Sequence, residues 1–295
     1  MQPRRPVATP PGRLQDIRRS PQGSESMDFR TCYVAFETRA ERPLTVAARM
    51  DVPAAADGAA PPRVPAVVIC HGSDGVDARG RFHAQALQAA GFATLELDMW
   101  SARGTVRGAP GRPKTVPETL PDAFAALAFL TRQPEVDPAR IAIMGFSWGG
   151  VVSVLSATRR YADAHAEPGT WFVAHAAFYP VLWSYNRAPG HELRDLTGAP
   201  VLIHAGGADA YDTPEVCEAF LAGLAPADRA HVELVVHPGA THAFDRDMPA
   251  KTIHDPYAHN GKGGAVRFEF DPDAARAARD RVVQVFGEAF ASVGA

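Results

Sequence analysis

Five residues, Gly145-Phe146-Ser147-Trp148-Gly149, constrain what this chain can fold into more than any other feature of it. The apolar run 141–144 leads into them and the small-residue stretch 150–155 leads out, so the segment reads as a strand, a sharp turn and a helix. Such a turn holds its central serine in a strained conformation. The glycines two residues to either side are required because side chains there would collide as the strand folds back into the helix. The arrangement is that of a nucleophile elbow, with Ser147 standing clear at the end of a strand. The plainer alternative is a serine in an ordinary glycine-softened turn between strand and helix; what lies further along the chain decides between them.

The totals narrow the possibilities. At 295 residues and 46% hydrophobic content the chain can bury a sizeable core. Its 30 basic and 33 acidic residues nearly cancel, which argues against nucleic acid or an anionic membrane surface as a partner and for a small molecule. The three cysteines, Cys32, Cys70 and Cys217, are far apart and form no C-x-x-C pair, so neither a disulfide framework nor a structural zinc site is expected and a reducing compartment fits best. No apolar run reaches transmembrane length, and no apolar core follows Arg4-Arg5 or Arg18-Arg19 as a secretory signal requires. A cytoplasmic location is the expectation.

Residues 1–26, rich in Pro, Arg, Gln and Ser, read as a disordered extension, with Met27 a candidate start and 27–295 a single domain. Two antiparallel strands are expected at 32–36 and 44–48, and the Ala/Pro/Gly-rich segment 54–63 reads as a surface loop. From residue 66 strands and helices alternate, with strands at 66–70, 93–97, 141–144, 172–179, 201–205 and 232–237. Helices are expected from the apolar stripes at 82–90 and 120–130, and from the Thr213-Pro214 and Asp271-Pro272 starts. This alternation predicts an α/β fold with a mostly parallel central sheet and helices on both faces.

A serine hydroxyl is a poor nucleophile at neutral pH, so Ser147 needs a base and a group that orients the base. Strand 201–205 runs into a loop bearing Asp209, and strand 232–237 into one bearing His242; both positions are carboxyl ends of strands, where open parallel sheets place their sites. The chain order Ser147, Asp209, His242 is that of an α/β-hydrolase triad. Asp98 precedes the serine and ranks below Asp209, and Asp212 is a weaker rival. Two backbone N–H groups are candidates for an oxyanion hole: that of Trp148, just after the serine, and that of Ser73, in His71-Gly72-Ser73-Asp74-Gly75, where Gly72 lets the backbone turn toward the substrate. His83, His165, His175, His191, His204 and His231 lack metal-ligand spacing, and no metal or organic cofactor is expected. The indole of Trp148 is read either as packing or as lining the acyl pocket.

Gly145-Phe-Ser-Trp-Gly-Gly150, the Asp209 loop and His237-Pro-Gly-Ala-Thr-His-Ala-Phe244 together resemble the dienelactone hydrolase family over roughly residues 64–290, and the segments 255–261 and 270–273 resemble the tail of its members. The family typically carries cysteine where this chain has Ser147, and a glutamate where it has Gly72; the resemblance therefore implies hydrolase chemistry with activation of the serine by His242, and leaves the substrate open. In the family an arginine four residues after the histidine binds a substrate carboxylate. Arg246 stands at that spacing, and Arg103 is a second candidate, so the resemblance implies small acidic substrates, with surface salt bridges as the competing role for both arginines. The expected activity is cleavage of a small-molecule carboxylic ester or lactone through a serine acyl-enzyme. The alternatives are amide cleavage or acyl transfer by the same triad, and a non-catalytic small-molecule-binding protein on the same scaffold.

Overall fold

The computed structural model describes residues 28–54, 63–105 and 112–293. The expected disordered extension 1–26, the start at Met27 and the body of the loop expected at 54–63 fall outside the described residues. Strands β1 (Phe29–Glu37) and β2 (Thr45–Pro53) form an antiparallel pair, β2 runs antiparallel to β4 (Ala93–Asp98), and from there the sheet is parallel. Its spatial order is β1-β2-β4-β3-β5-β6-β7-β8, where β3 is Val64–Cys70, β5 Val136–Phe146, β6 His175–Phe178, β7 Val201–Gly206 and β8 Val232–His237. After β3 the chain crosses to β4 on one side and then to β5 on the other. Strand order thus reverses between β3 and β5, and the crevice at their carboxyl ends is where an open parallel sheet binds ligands.

Helices α1 (Ala78–Ala89), α2 (Leu120–Leu130), α3 (Trp148–Leu155), α4 (Arg159–His165), α5 (Pro214–Ala222), the short α6 (Pro226–Arg229) and α7 (Ala258–Gly261), and the long α8 (Pro272–Ser292) complete the chain. The period-2 alternation of the strands divides the core in two. Ala66, Val68 and Cys70 of β3 face the layer built by Phe124, Leu127, Val152, Leu155 and Phe220, from α2, α3 and α5. Val67 and Ile69 face Leu87 of α1 and Ala278, Val282 and Phe286 of α8. Helix starts follow the sequence closely: Thr213 caps α5 at the Val216 N–H, and Asp271 caps α8 at the N–H groups of Asp273 and Ala274, each with proline next in line.

One expectation shifts, and two further elements had gone unread. The strand read at 172–179 shortens to β6: it starts only at His175, and it ends at Phe178 because Tyr179 takes a left-handed φ of 42°. Helix α4 carries only two buried residues, Tyr161 and Ala162, too short a stripe for a periodicity signal. An antiparallel hairpin, β9 (Lys251–Asp255) with β10 (Gly264–Phe268), forms where no strand was expected; its strands alternate weakly because β9 is almost wholly exposed.

The elbow is held by contact between backbones. A Cβ on Gly149 would lie 2.2 Å from the carbonyl oxygen of Cys70 at the end of β3, and one on Gly145 would lie 2.2 Å from the carbonyl oxygen of Gly149. Neither neighbour is a side chain that can swing away. Gly149→Ala is therefore expected to destabilise the fold by about 2 kcal/mol or more, read as a lowered urea midpoint at unchanged m-value; an unshifted midpoint would contradict the close approach of α3 to β3.

Candidate active site

Ser147 sits between β5 and α3 at φ 49°, ψ −108°, a conformation that costs a non-glycine residue on the order of 1–3 kcal/mol. Its N–H donates to the Phe178 carbonyl at the end of β6 (2.9 Å), and its own carbonyl accepts from Val151 (2.9 Å), so sheet and helix pin it from both sides. The strain turns the side chain out of the elbow toward His242, whose Nε2 lies 3.1 Å from Ser147 Oγ. The opposite ring nitrogen, Nδ1, donates to Asp209 Oδ2 at 2.7 Å. Residues 95 and 33 positions apart along the chain thus meet as hydroxyl, imidazole and carboxylate.

Each member is fixed by its own surroundings. Asp209 follows β7, is buried, and accepts the Tyr211 N–H at its second oxygen (2.8 Å). The His242 ring lies between the rings of Tyr179 (4.6 Å between centroids) and Tyr211 (4.5 Å), with Phe268 of β10 edge-on at 5.7 Å. The rival acids are spent elsewhere. Asp212 is fully buried and accepts from the Leu182 N–H; burial and the nearby Asp209 push its carboxyl well above the usual range, and it makes no contact with the His242 ring, which Asp209 meets. Asp98 caps the turn at Trp100 and Ser101.

The candidate oxyanion donors both border the same cleft as Ser147 and His242, a concavity of about 860 Å³. The Gly72–Ser73 peptide is held by its carbonyl: the Gly72 oxygen accepts from His71 Nδ1 (2.8 Å) and from the Gly75 N–H (3.0 Å). Because the N–H of Ser73 belongs to the same planar unit, fixing the carbonyl fixes the donor. The Trp148 N–H lies in the first turn of α3, where helix donors have no intrahelical partner. The Trp148 indole also borders the cleft and donates to Thr119 Oγ1 at 3.0 Å.

The two arginines expected to bind a substrate carboxylate are both ion-paired. Arg246 borders the cleft, but its guanidinium reaches Asp74 at 2.6 Å and Asp77 at 3.1 Å. Arg103 is not among the lining residues: it binds Asp122 at 2.6 Å and 3.1 Å, together with the carbonyls of Met99 and Glu118, and ties the 101–103 turn to α2. Its placement as a substrate ligand is corrected accordingly, since a fully buried carboxylate holds it away from the cleft. Sequence reasoning missed other lining residues: Arg79, Arg112, Tyr211, Lys251 and Phe268. Only Tyr211, two residues beyond Asp209, carried a positional hint. Among the described residues no group of three or more His, Cys, Asp or Glu side chains is placed to hold a metal ion, and no helix is long and apolar enough to cross a membrane.

His71 is the residue whose charge state matters most to the oxyanion loop. Its Nε2 accepts the Met99 N–H (3.0 Å) while Nδ1 donates to Gly72, a pattern only the neutral ring can satisfy, and burial pushes its pKa down to about 4. Burial does the same to His175, also to about 4, behind α3. An imidazole with a lowered folded-state pKa is protonated more readily in the unfolded chain. Stability is therefore whole above the ordinary value of 6.5 and drains away as pH falls toward 4, by up to the order of 3 kcal/mol per ring. Denaturation free energies measured from pH 7 to 4.5 should fall across that window, and a level profile would contradict two buried neutral rings.

Comparison with known proteins identifies the family and the fold. The dienelactone hydrolase family model matches residues 52–290. Two uncharacterized proteins from strains of Mycobacterium tuberculosis are each 35% identical over 185 residues, covering 60% of this chain; the match spans 63% of those relatives' own length. Among solved structures, a dienelactone hydrolase-like promiscuous phosphotriesterase from metagenomic libraries superposes with a TM-score of 0.59 at 20% identity, covering 88% of this chain and 98% of that one. Thermogutta terrifontis esterase 2 with bound propionate gives 0.56 at 19% (94% and 97%), and a dienelactone hydrolase from Anabaena variabilis 0.54 at 19% (88% and 98%). At such identities the structures establish a shared fold, while the family model covers most of the chain. The chain belongs to the dienelactone hydrolase family of the α/β-hydrolase superfamily, in a serine-bearing form.

Proposed function

We propose that the protein hydrolyses carboxylic esters or lactones through a covalent acyl-enzyme on Ser147. The observation that carries this is the continuous relay from Ser147 Oγ through His242 to Asp209. In the first half-reaction Oγ attacks the substrate carbonyl as its proton passes to His242 Nε2. Asp209, at Nδ1, keeps the ring in the tautomer that can accept that proton and stabilises the imidazolium that forms. Negative charge gathers on the former carbonyl oxygen, and in this reading the N–H groups of Ser73 and Trp148 donate to it. When the tetrahedral species collapses, the leaving oxygen takes the proton from His242. A water molecule then repeats the attack on the acyl-serine with His242 as base, releasing the acid and restoring the hydroxyl.

Ser147→Ala removes the nucleophile without altering the glycine-supported turn. Turnover of a chromogenic ester is expected to drop on the order of 10³-fold or more, and covalent labelling by a fluorophosphonate to vanish, with folding little changed. A folded wild type that neither labels nor hydrolyses any ester or lactone in a broad panel would favour the ligand-binding alternative.

The preference for small acidic substrates is kept, on different residues. Arg112 lies 5.5 Å over the Trp148 ring, and Lys251 lies 5.5 Å over Phe268, the ring that abuts His242. Among the described residues neither has a carboxylate partner, so each cleft wall offers a cation to an ester bearing a distal carboxylate. Such an ester should exceed its neutral isostere in kcat/KM by about tenfold, and Lys251→Met should reduce that ratio; equal values for the two esters would remove the preference.

A further inference from the structure

A guanidinium buried beneath the oxyanion loop has no part in the chemistry just described. Arg79, in the first turn of α1, has a side chain only 4% exposed. A charge so far from water persists only when paired and hydrogen-bonded, and its partners come from different parts of the chain. Nε and Nη2 grip Asp77 at 2.9 Å and 2.7 Å, and Nη1 donates to the Tyr179 hydroxyl at 3.1 Å. Tyr179 in turn donates to Asp245, whose other oxygen meets His83 Nε2 at 2.9 Å. Asp77 also receives Arg246.

The same group touches all three segments that bear the reacting parts. Above it is the oxyanion loop: a Cβ on Gly72 would lie 3.3 Å from Arg79 Nη2. Beside it is the elbow: its Cζ lies 5.2 Å from the ring centre of Phe146, the residue before Ser147. Beyond Tyr179 is the base: the Tyr179 ring braces the His242 imidazole, and Asp245 is three residues along the same loop.

We propose that Arg79 is a positioning residue for acyl transfer, joining the 72–77 loop, the serine elbow and the His242 loop through Tyr179 so that oxyanion donor, nucleophile and base keep one register. The proposal rests on the serine-hydrolase reading above. Its charge has a second consequence. Asp77 faces Arg79 from the 72–77 loop, Asp245 and Arg246 from the His242 loop, Tyr179 from the end of β6, and His71 from the end of β3; Asp245 is also faced by His83 and His237. His242 is faced by Asp209, Tyr179, Tyr211 and Ser147. Taking the positive charge away leaves Asp77 and Asp245 less opposed, which favours the imidazolium of His242 and moves the acid limb of kcat/KM to higher pH.

The test compares wild type with Arg79→Gln, Arg79→Lys and Tyr179→Phe on one ester substrate. Arg79→Gln is expected to lower kcat by about 10- to 100-fold with KM within about threefold, and to raise the acid limb by about half a pH unit or more. Arg79→Lys keeps the charge and should leave the limb in place while kcat still falls, because one ammonium cannot make the forked contacts. Tyr179→Phe keeps the packing against His242 and loses only the link; its kcat should fall about tenfold with the limb unmoved. A kcat loss in Arg79→Gln without movement of the limb, or a Tyr179→Phe variant as fast as wild type, would overturn the proposal while leaving the hydrolase reading intact. If Arg79→Gln fails to fold, Tyr179→Phe decides alone. A wild type without turnover or fluorophosphonate labelling would instead remove the reaction itself, and the role with it.

Discussion

The contact of the Gly149 backbone with the Cys70 carbonyl is the constraint on which the site depends. It brings α3 directly against the end of β3, so the oxyanion loop that continues from β3 and the serine that precedes α3 emerge side by side. A side chain at that point would collide with the Cys70 carbonyl and force the two apart. Ser147 is strained because no relaxed backbone can turn from strand to helix in so few residues, and the parallel ladders of β3, β5 and β6 hold the strain in place.

Around that contact the site is built from polar groups that satisfy one another rather than water. His71 orients the Gly72–Ser73 peptide and must be neutral to do so. Asp209 bonds to the His242 ring while burial pushes the carboxyl of Asp212, close by, well above the usual range. Two carboxylates of the same loop thus take different roles because their environments differ, one facing an imidazole and the other the N–H groups of the 181–183 segment. Aromatic rings supply the walls: Tyr179 and Tyr211 flank His242, while Arg112 lies over Trp148 and Lys251 over Phe268.

Much of this was legible in order and spacing. The glycine-flanked turn at Ser147, the Asp209 and His242 loops and the alternation of strands with helices each follow from short local patterns; which strand residues face which core layer does not, since residues 66–70 are apolar throughout. The ion pairs were not. Arg246 and Arg103 both stand at spacings that fit a ligand, yet the acids that neutralise them, Asp74, Asp77 and Asp122, lie on other elements, and no spacing rule reports which charge a folded loop will meet first. The hairpin of β9 and β10 escaped notice because an exposed flap has little apolar periodicity to betray it.

Local backbone sterics and hydrophobic period were enough to place the glycine-flanked Ser147 turn, the loops that bear Asp209 and His242, and the sheet that supports them. That Arg79 lies buried against the 72–77 loop, that Tyr179 packs on the His242 ring and that Arg103 is paired with Asp122 emerges only when the elements pack together. The physical reason is that burial and pairing are properties of surroundings: a guanidinium has the same chemistry everywhere along a chain, and what it does is set by the groups that folding places within about 3 Å of it.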